Sequence, residues 1–169
     1  MKNRRMRWLL LVCLCPGFTY AGIFPSAIDP PGEKVIVVSP RYHVWGAYYA
    51  DGTLARTGLA TAGAKWCRDT KAPCRTKTGS YRIYSLGDSD CISTRFPLPH
   101  GGAPMPYCMY FNGNQALHGS PSRSVVRGNI SHGCVRLRIA DAQWLRYHFA
   151  EGPGYRNGYR GTRVVILPY

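Results

Sequence analysis

Every apolar run in this chain is short, and a turn-forming residue closes nearly all of them. Lys34-Val-Ile-Val-Val38 runs into Ser39-Pro40, Tyr42–Tyr49 into Asp51-Gly52, and Arg163-Val-Val-Ile-Leu167 into Pro168. Short apolar or β-branched runs between such breakers are the pattern of strands. Nineteen glycines and thirteen prolines in 169 residues weigh against a helical bundle. Thr53–Thr61 completes a β-meander begun at Lys34. Gly79–Leu86 and Tyr107–Leu117 read as further strands, the second bracketed by Pro106 and Asn112-Gly113. A single stretch has helical spacing: Ile139, Ala142, Leu145 and Phe149, halted by Gly152-Pro153-Gly154 and with no Ser or Thr cap at its start. The expectation is one mainly β domain with one late helix, long enough to fold without a structural metal.

The formal charge of +14 and the odd count of seven cysteines both need an account. Residues 1–21 supply part of it. Lys2, Arg4, Arg5 and Arg7 precede the apolar run Trp8–Cys15, Pro16-Gly17 breaks the run, and Thr19-Tyr20-Ala21 offers small residues for cleavage. This is the pattern of a secretory signal peptide, too short in its apolar part to span a bilayer. Residues 22–33, with three prolines, form an extended lead-in, and 34–169 form the domain. Beyond the leader a net charge of +10 remains, with Cys67, Cys74, Cys91, Cys108 and Cys134. For an exported protein this charge points away from nucleic acid and towards an acidic envelope polymer.

The chemistry concentrates late. His118-Gly119 ends one strand, and Ser131-His132-Gly133-Cys134-Val135-Arg136-Leu137 follows after a loop holding Arg123 and Arg127. A cysteine nucleophile needs a base beside it and backbone N–H groups aimed at the developing oxyanion. Either histidine can supply the first, and Gly133 permits close backbone approach for the second. The helix after Cys134 could add its dipole. A zinc site built from His118, His132 and Cys134 is the rival, and it lacks a fourth ligand at usual spacing. Four cysteines besides Cys134 make two pairs, with three connectivities open; Cys67–Cys74 and Cys91–Cys108 is one.

His118-Gly119 followed at this distance by Ser-His-Gly-Cys resembles the signature of the L,D-transpeptidases of the YkuD (ErfK/YbiS) family. Lys77-Thr-Gly-Ser-Tyr-Arg-Ile83, Met105-Pro-Tyr107 and Ala116-Leu-His-Gly119 are similar to the family's other conserved stretches. The resemblance implies a YkuD-type β-sandwich acting on peptidoglycan stem peptides without a cofactor or metal. It implies Cys134 as nucleophile, His118 as general base, the Gly119 carbonyl as the group orienting His118, and His132 and Gly133 as shapers of the oxyanion site. Arg136, Ser131 and Tyr107 stand on the substrate side, with Ser131 also expected to make a local hydrogen bond. Arg123 and Arg127 either meet stem carboxylates or are solvated. The implied acceptor is an amine on a second stem or on a lipoprotein; water would make a carboxypeptidase. An inactive peptidoglycan-binding module of the same fold is the non-enzymatic alternative, and a disulfide-stapled secreted interaction protein a second. The stretch Cys67–Cys108, between matching blocks, is where substrate access would be tuned. The expected location is the periplasm or cell envelope.

Overall fold

A computed structural model describes residues 24–169. The leader segment 1–21 lies outside them. The nine strands are β1 (Val35–Ser39), β2 (Val44–Tyr48), β3 (Leu54–Leu59), β4 (Gly79–Arg82), β5 (Ser85–Leu86), β6 (Met109–Asn112), β7 (Gln115–Ser120), β8 (Val135–Arg138) and β9 (Arg163–Ile166). They form two sheets, β3-β2-β1-β9-β4 and β5-β6-β7-β8. β1 pairs with β9 in parallel, as β7 does with β8, and the remaining ladders are antiparallel.

The two sheets face each other across one core. Ile36, Val38, Trp45, Ala47, Val164 and Ile166 from the first meet Met109, Phe111, Leu117, Val135 and Leu137 from the second. Burying each large aliphatic side chain contributes roughly 1.5–3 kcal/mol. The helix α1 (Ile139–Trp144) widens into a π-type turn over Leu145–Phe149 and closes the core with Ala142, Leu145 and Phe149. Asp141, buried in its first turn, meets Arg56 of β3 at 2.7 Å, which ties the helix to the first sheet. Ile139, counted above in the helical apolar stripe, is exposed, because the helix begins directly at the end of β8 and its first residue has no sheet to cover.

β1 is apolar at every position but its last because both of its faces are covered. Val35 and Val37 point away from the main core and are met by Phe24 and Ile28 of the lead-in. That segment is docked rather than merely extended: Ile28 N–H donates to Gly52 O at 2.9 Å and Leu54 N–H to Ser26 O at 2.9 Å. Gly52 has φ +87°, and a Cβ there would lie 2.1 Å from the Ile28 carbonyl oxygen, so the turn accepts only glycine.

Three strand expectations change. Gly79–Leu86 is two strands, because the chain crosses between sheets at the fully buried Ile83: Ile83 N–H bonds to Thr162 O and Tyr84 N–H to Tyr110 O. Tyr107–Leu117 is a hairpin, with the bend after Asn112 where Gly113 has φ +52°. Val135–Arg138 is a strand whose apolar-polar alternation is too brief to mark it in isolation. It separates Cys134 from α1, so no helix dipole is aimed at the sulfur.

Candidate active site

The parallel pairing of β7 and β8 assembles the site. Its register sets Leu117 opposite Val135 and His118 opposite Arg136. Side chains alternate along a strand, so Cys134 shares a face with Arg136, and the one before His118 on that face is Ala116. Ala116 is small and wholly buried, and its backbone N–H hydrogen-bonds the cysteine sulfur. Cys134 is the one free cysteine among the described residues; its thiol donates to Asn114 O at 3.5 Å in the β6–β7 bend. His118, Cys134 and Arg136 all line a single cavity of about 550 Å³.

His118 is buried, and its Nδ1 lies 2.9 Å from the carbonyl oxygen of Gly119. A carbonyl can only accept, so Nδ1 carries the proton and the neutral ring keeps Nε2 bare. Burial pushes the His118 pKa down to about 4, aided by the nearby Arg136 charge and partly offset by the Gly119 bond. Burial also pushes the Cys134 thiol up, against smaller opposing effects from the Ala116 bond and the Arg136 charge. Both shifts favour uncharged forms. At neutral pH the resting pair is a thiol and a neutral imidazole, not a thiolate and an imidazolium. Desolvation likewise lowers the pKa of the Arg136 guanidinium, which among the described residues has no carboxylate within ion-pair distance.

The loop before Cys134 is held from three directions. Ser131, buried, donates its hydroxyl to the Cys134 carbonyl and accepts the Gly133 N–H at 3.2 Å. Ser131 is therefore a brace inside the loop, and the Gly133 N–H is occupied rather than aimed at a substrate oxygen. The part Gly133 does play is conformational: its φ of +116° is one that side-chain-bearing residues rarely adopt, and a Cβ would press on Gln115 Nε2 at 3.1 Å. Its carbonyl accepts from the buried Thr76 hydroxyl at 2.8 Å. Thr76 N–H in turn donates to the Tyr169 hydroxyl at 2.9 Å, which itself donates to Gly63 O at 3.0 Å. Along the other side, Thr61 pairs with Arg136 in both directions, and Ala62 and Ala64 pair with Ser131.

Two disulfides close the cavity walls. Cys67–Cys74 and Cys91–Cys108 are both formed. The first closes a loop contributing Thr70, Ala72 and Pro73 to the lining; the second closes one contributing Ser93–Phe96 and Ala103–Met105. His132 joins the two: its Nε2 meets both carboxylate oxygens of Asp69 at 2.8 and 2.9 Å, and its ring lies 4.5 Å from that of Phe96. This bond holds the Asp69 carboxyl below its ordinary range. Asp69 gives no sign of this role in the sequence, since it stands 63 positions before its partner; the flanking Cys67 and Cys74 were the nearest signal.

Some expected residues lie elsewhere. Tyr107, in a left-handed conformation at φ +59°, packs edge-on to Tyr147 at 5.7 Å and does not line the cavity. Arg123 and Arg127 do not line it either; Arg75, Lys77 and Arg95 do. The zinc alternative loses its ligand set. Among the described residues the one trio of ligand atoms within 4.8 Å is Cys67, Asp69 and His132, and the Cys67 sulfur is spent in a disulfide. No helix among the described residues is long and apolar enough to cross a membrane.

The model of the YkuD family, the L,D-transpeptidase catalytic domain, matches residues 33–166. No curated protein matches. Among solved structures, an L,D-transpeptidase from Xylanimonas cellulosilytica superposes with a TM-score of 0.63 at 25% identity, over 83% of this chain and 63% of that one. One from Stackebrandtia nassauensis gives 0.62 at 18% identity over 87% and 61%. L,D-transpeptidase 3 from Mycobacterium tuberculosis, solved with a faropenem-derived adduct, gives 0.59 at 21% over 80% and 60%. The alignments thus span less than two thirds of the length of each of these proteins.

Proposed function

Taking as premise that the chain belongs to the L,D-transpeptidase catalytic domain family, we propose that it is an exported cysteine transpeptidase acting on peptidoglycan stem peptides. The observation that carries this reading is a free cysteine and a buried, backbone-oriented histidine on one sheet face, opening into one cavity.

In this reading Cys134 Sγ attacks the carbonyl carbon of the third stem residue. His118 Nε2 takes the thiol proton as the S–C bond forms, because no thiolate stands ready at rest. Charge gathers on the carbonyl oxygen, where the Cys134 amide stands and Arg136 adds a positive field. The C–N bond to the terminal D-alanine then breaks, and His118 returns its proton to the departing amine. The thioester is resolved by an amine, which loses a proton to His118 as Cys134 leaves. The product is a new amide, and the thiol is restored. His132, clamped by Asp69, shapes the rim of the oxyanion site. The Cys134→Asn114 hydrogen bond is given up as the thiol proton passes to His118.

The basic, apolar leader supports export, as do two disulfides, which persist in oxidising compartments. In this reading the enzyme works in the periplasm or cell envelope. The deciding experiment pairs two readouts. A carbapenem should add one covalent mass to the protein, lost in Cys134→Ala. Incubation with isolated peptidoglycan should create cross-linked muropeptides, lipoprotein-linked stems or shortened stems, which identifies the acceptor. No adduct together with an unchanged muropeptide profile would leave a binding module.

A further inference from the structure

We infer that the cavity selects its donor by charge, favouring stem peptides whose side carboxyls are free over those in which they are carboxamides, with Arg75, Lys77 and Arg95 as the selecting residues. This rests on the transpeptidase reading and deepens it.

Three observations carry the inference. Arg75, Lys77, Arg95 and Arg136 line the cavity, and no aspartate or glutamate does. Among the described residues, none of the four has a carboxylate within ion-pair distance, as Lys34, Arg56, Arg82, Arg146 and Arg163 do. Asp69, whose carboxylate is held by His132 at 2.8 Å, is not among the lining residues. The cavity thus gathers four cations on its lining with no acid among the residues that line it. Two of these side chains also rest against rings: the Arg75 guanidinium lies 4.5 Å from the Tyr169 ring centroid and Arg95 5.5 Å from that of Phe96. Such stacking keeps a guanidinium planar to the ring and leaves its N–H edge to a ligand.

Unpaired like charges gathered on one wall repel each other, and an anionic ligand relieves that repulsion. A stem peptide with a free α-carboxyl on its γ-linked second residue and a free carboxyl on its third side chain offers two anions. Amidation keeps the shape and removes both charges. A charge-assisted hydrogen bond exceeds a neutral one by enough to give about a tenfold or greater preference for each carboxylate.

The test uses the purified full chain and two synthetic tetrapeptide donors that differ only in carboxyl against carboxamide, with one fixed amine acceptor. The free-carboxyl donor should show a kcat/KM at least about tenfold higher at low salt, with the ratio shrinking as salt rises. Arg75→Gln, Lys77→Gln and Arg95→Gln should each narrow the ratio, and Arg156→Gln, outside the cavity, should not. Equal turnover of both donors, or a ratio unmoved by the three cavity variants, overturns the selection while the transpeptidase reading stands. If neither donor is consumed and no carbapenem adduct forms, the reading beneath it fails and the selection falls with it.

Discussion

In the five-stranded sheet β1, β2 and β3 follow one another through short turns, and β1 and β9, far apart in the chain, join as near-continuous aliphatic runs. The four-stranded sheet keeps chain order but is made of weaker pieces. β5 has two residues, and β8 returns in parallel after a fourteen-residue connection. It is bounded by two disulfide-closed loops and by a hydrogen-bond chain reaching to Tyr169. Both sheets bury one face in the shared core, and the second is held in place from outside as well. The difference teaches that the second sheet spends its regularity on presenting groups at its edge, and leans on the first for stability.

Removing one group from each side should separate the two roles most sharply. Cys134→Ala should abolish acylation, a loss on the order of 10⁴-fold or more in turnover, with the melting temperature little changed. Trp45→Ala, which empties a fully buried site in the first sheet, should cost about 3–5 kcal/mol in a denaturant titration. If Cys134→Ala proved the more destabilising of the two, the division of labour would be wrong.

Acid should weaken the catalytic side first. His118 titrates at about 4 when folded and near 6.5 when unfolded, so between those values the unfolded chain binds the extra proton. Stability should therefore fall as pH drops from about 6.5 to about 4, by roughly 3 kcal/mol, and level off below for this group. Glu33, whose pKa is lowered by its paired Arg82, contributes its own loss only below the ordinary glutamate range. Denaturant midpoints across this window, with His118→Gln flattening the upper part, provide the check.

Opening the second disulfide should cost about 3 kcal/mol by freeing its loop in the unfolded chain. The Cys91→Ala/Cys108→Ala pair should lose carbapenem acylation rate at temperatures where tryptophan fluorescence still reports an intact first sheet. Simultaneous loss of both signals would mean that the two halves melt as one. The smallest effect belongs to Tyr169→Phe, which removes the hydroxyl bonded to Thr76 and Gly63. It should cost about 1 kcal/mol by thermal melt and slow acylation a few-fold through Gly133.

The same contrast explains what could be read from the residues. Val35–Val38 and Val164–Ile166 announce themselves, because strands buried on both faces are apolar throughout. Cys134 and His118 were legible as a spaced motif, and the odd cysteine already singled one thiol out. The occupied Gly133 amide, the Asp69–His132 clasp and the Arg75–Lys77–Arg95 wall were not. The Asp69–His132 clasp joins groups 63 positions apart, and all three depend on loop conformations that have no periodicity to follow. The crossing at Ile83 was hidden for a different reason: a buried isoleucine looks the same whether its strand continues or changes sheets.

The parallel seam between β7 and β8 has a consequence for how this fold tolerates change. His118 and Cys134 open onto the same cavity because Leu117 stands opposite Val135; a slip of one position would turn the thiol to the opposite face while leaving nearly every ladder bond countable. The connection from Pro121 to Ile130 sets no such register. It can lengthen or shorten at little entropic cost, so variation in this lineage should collect in that span, while alignment across the seam stays fixed to the residue.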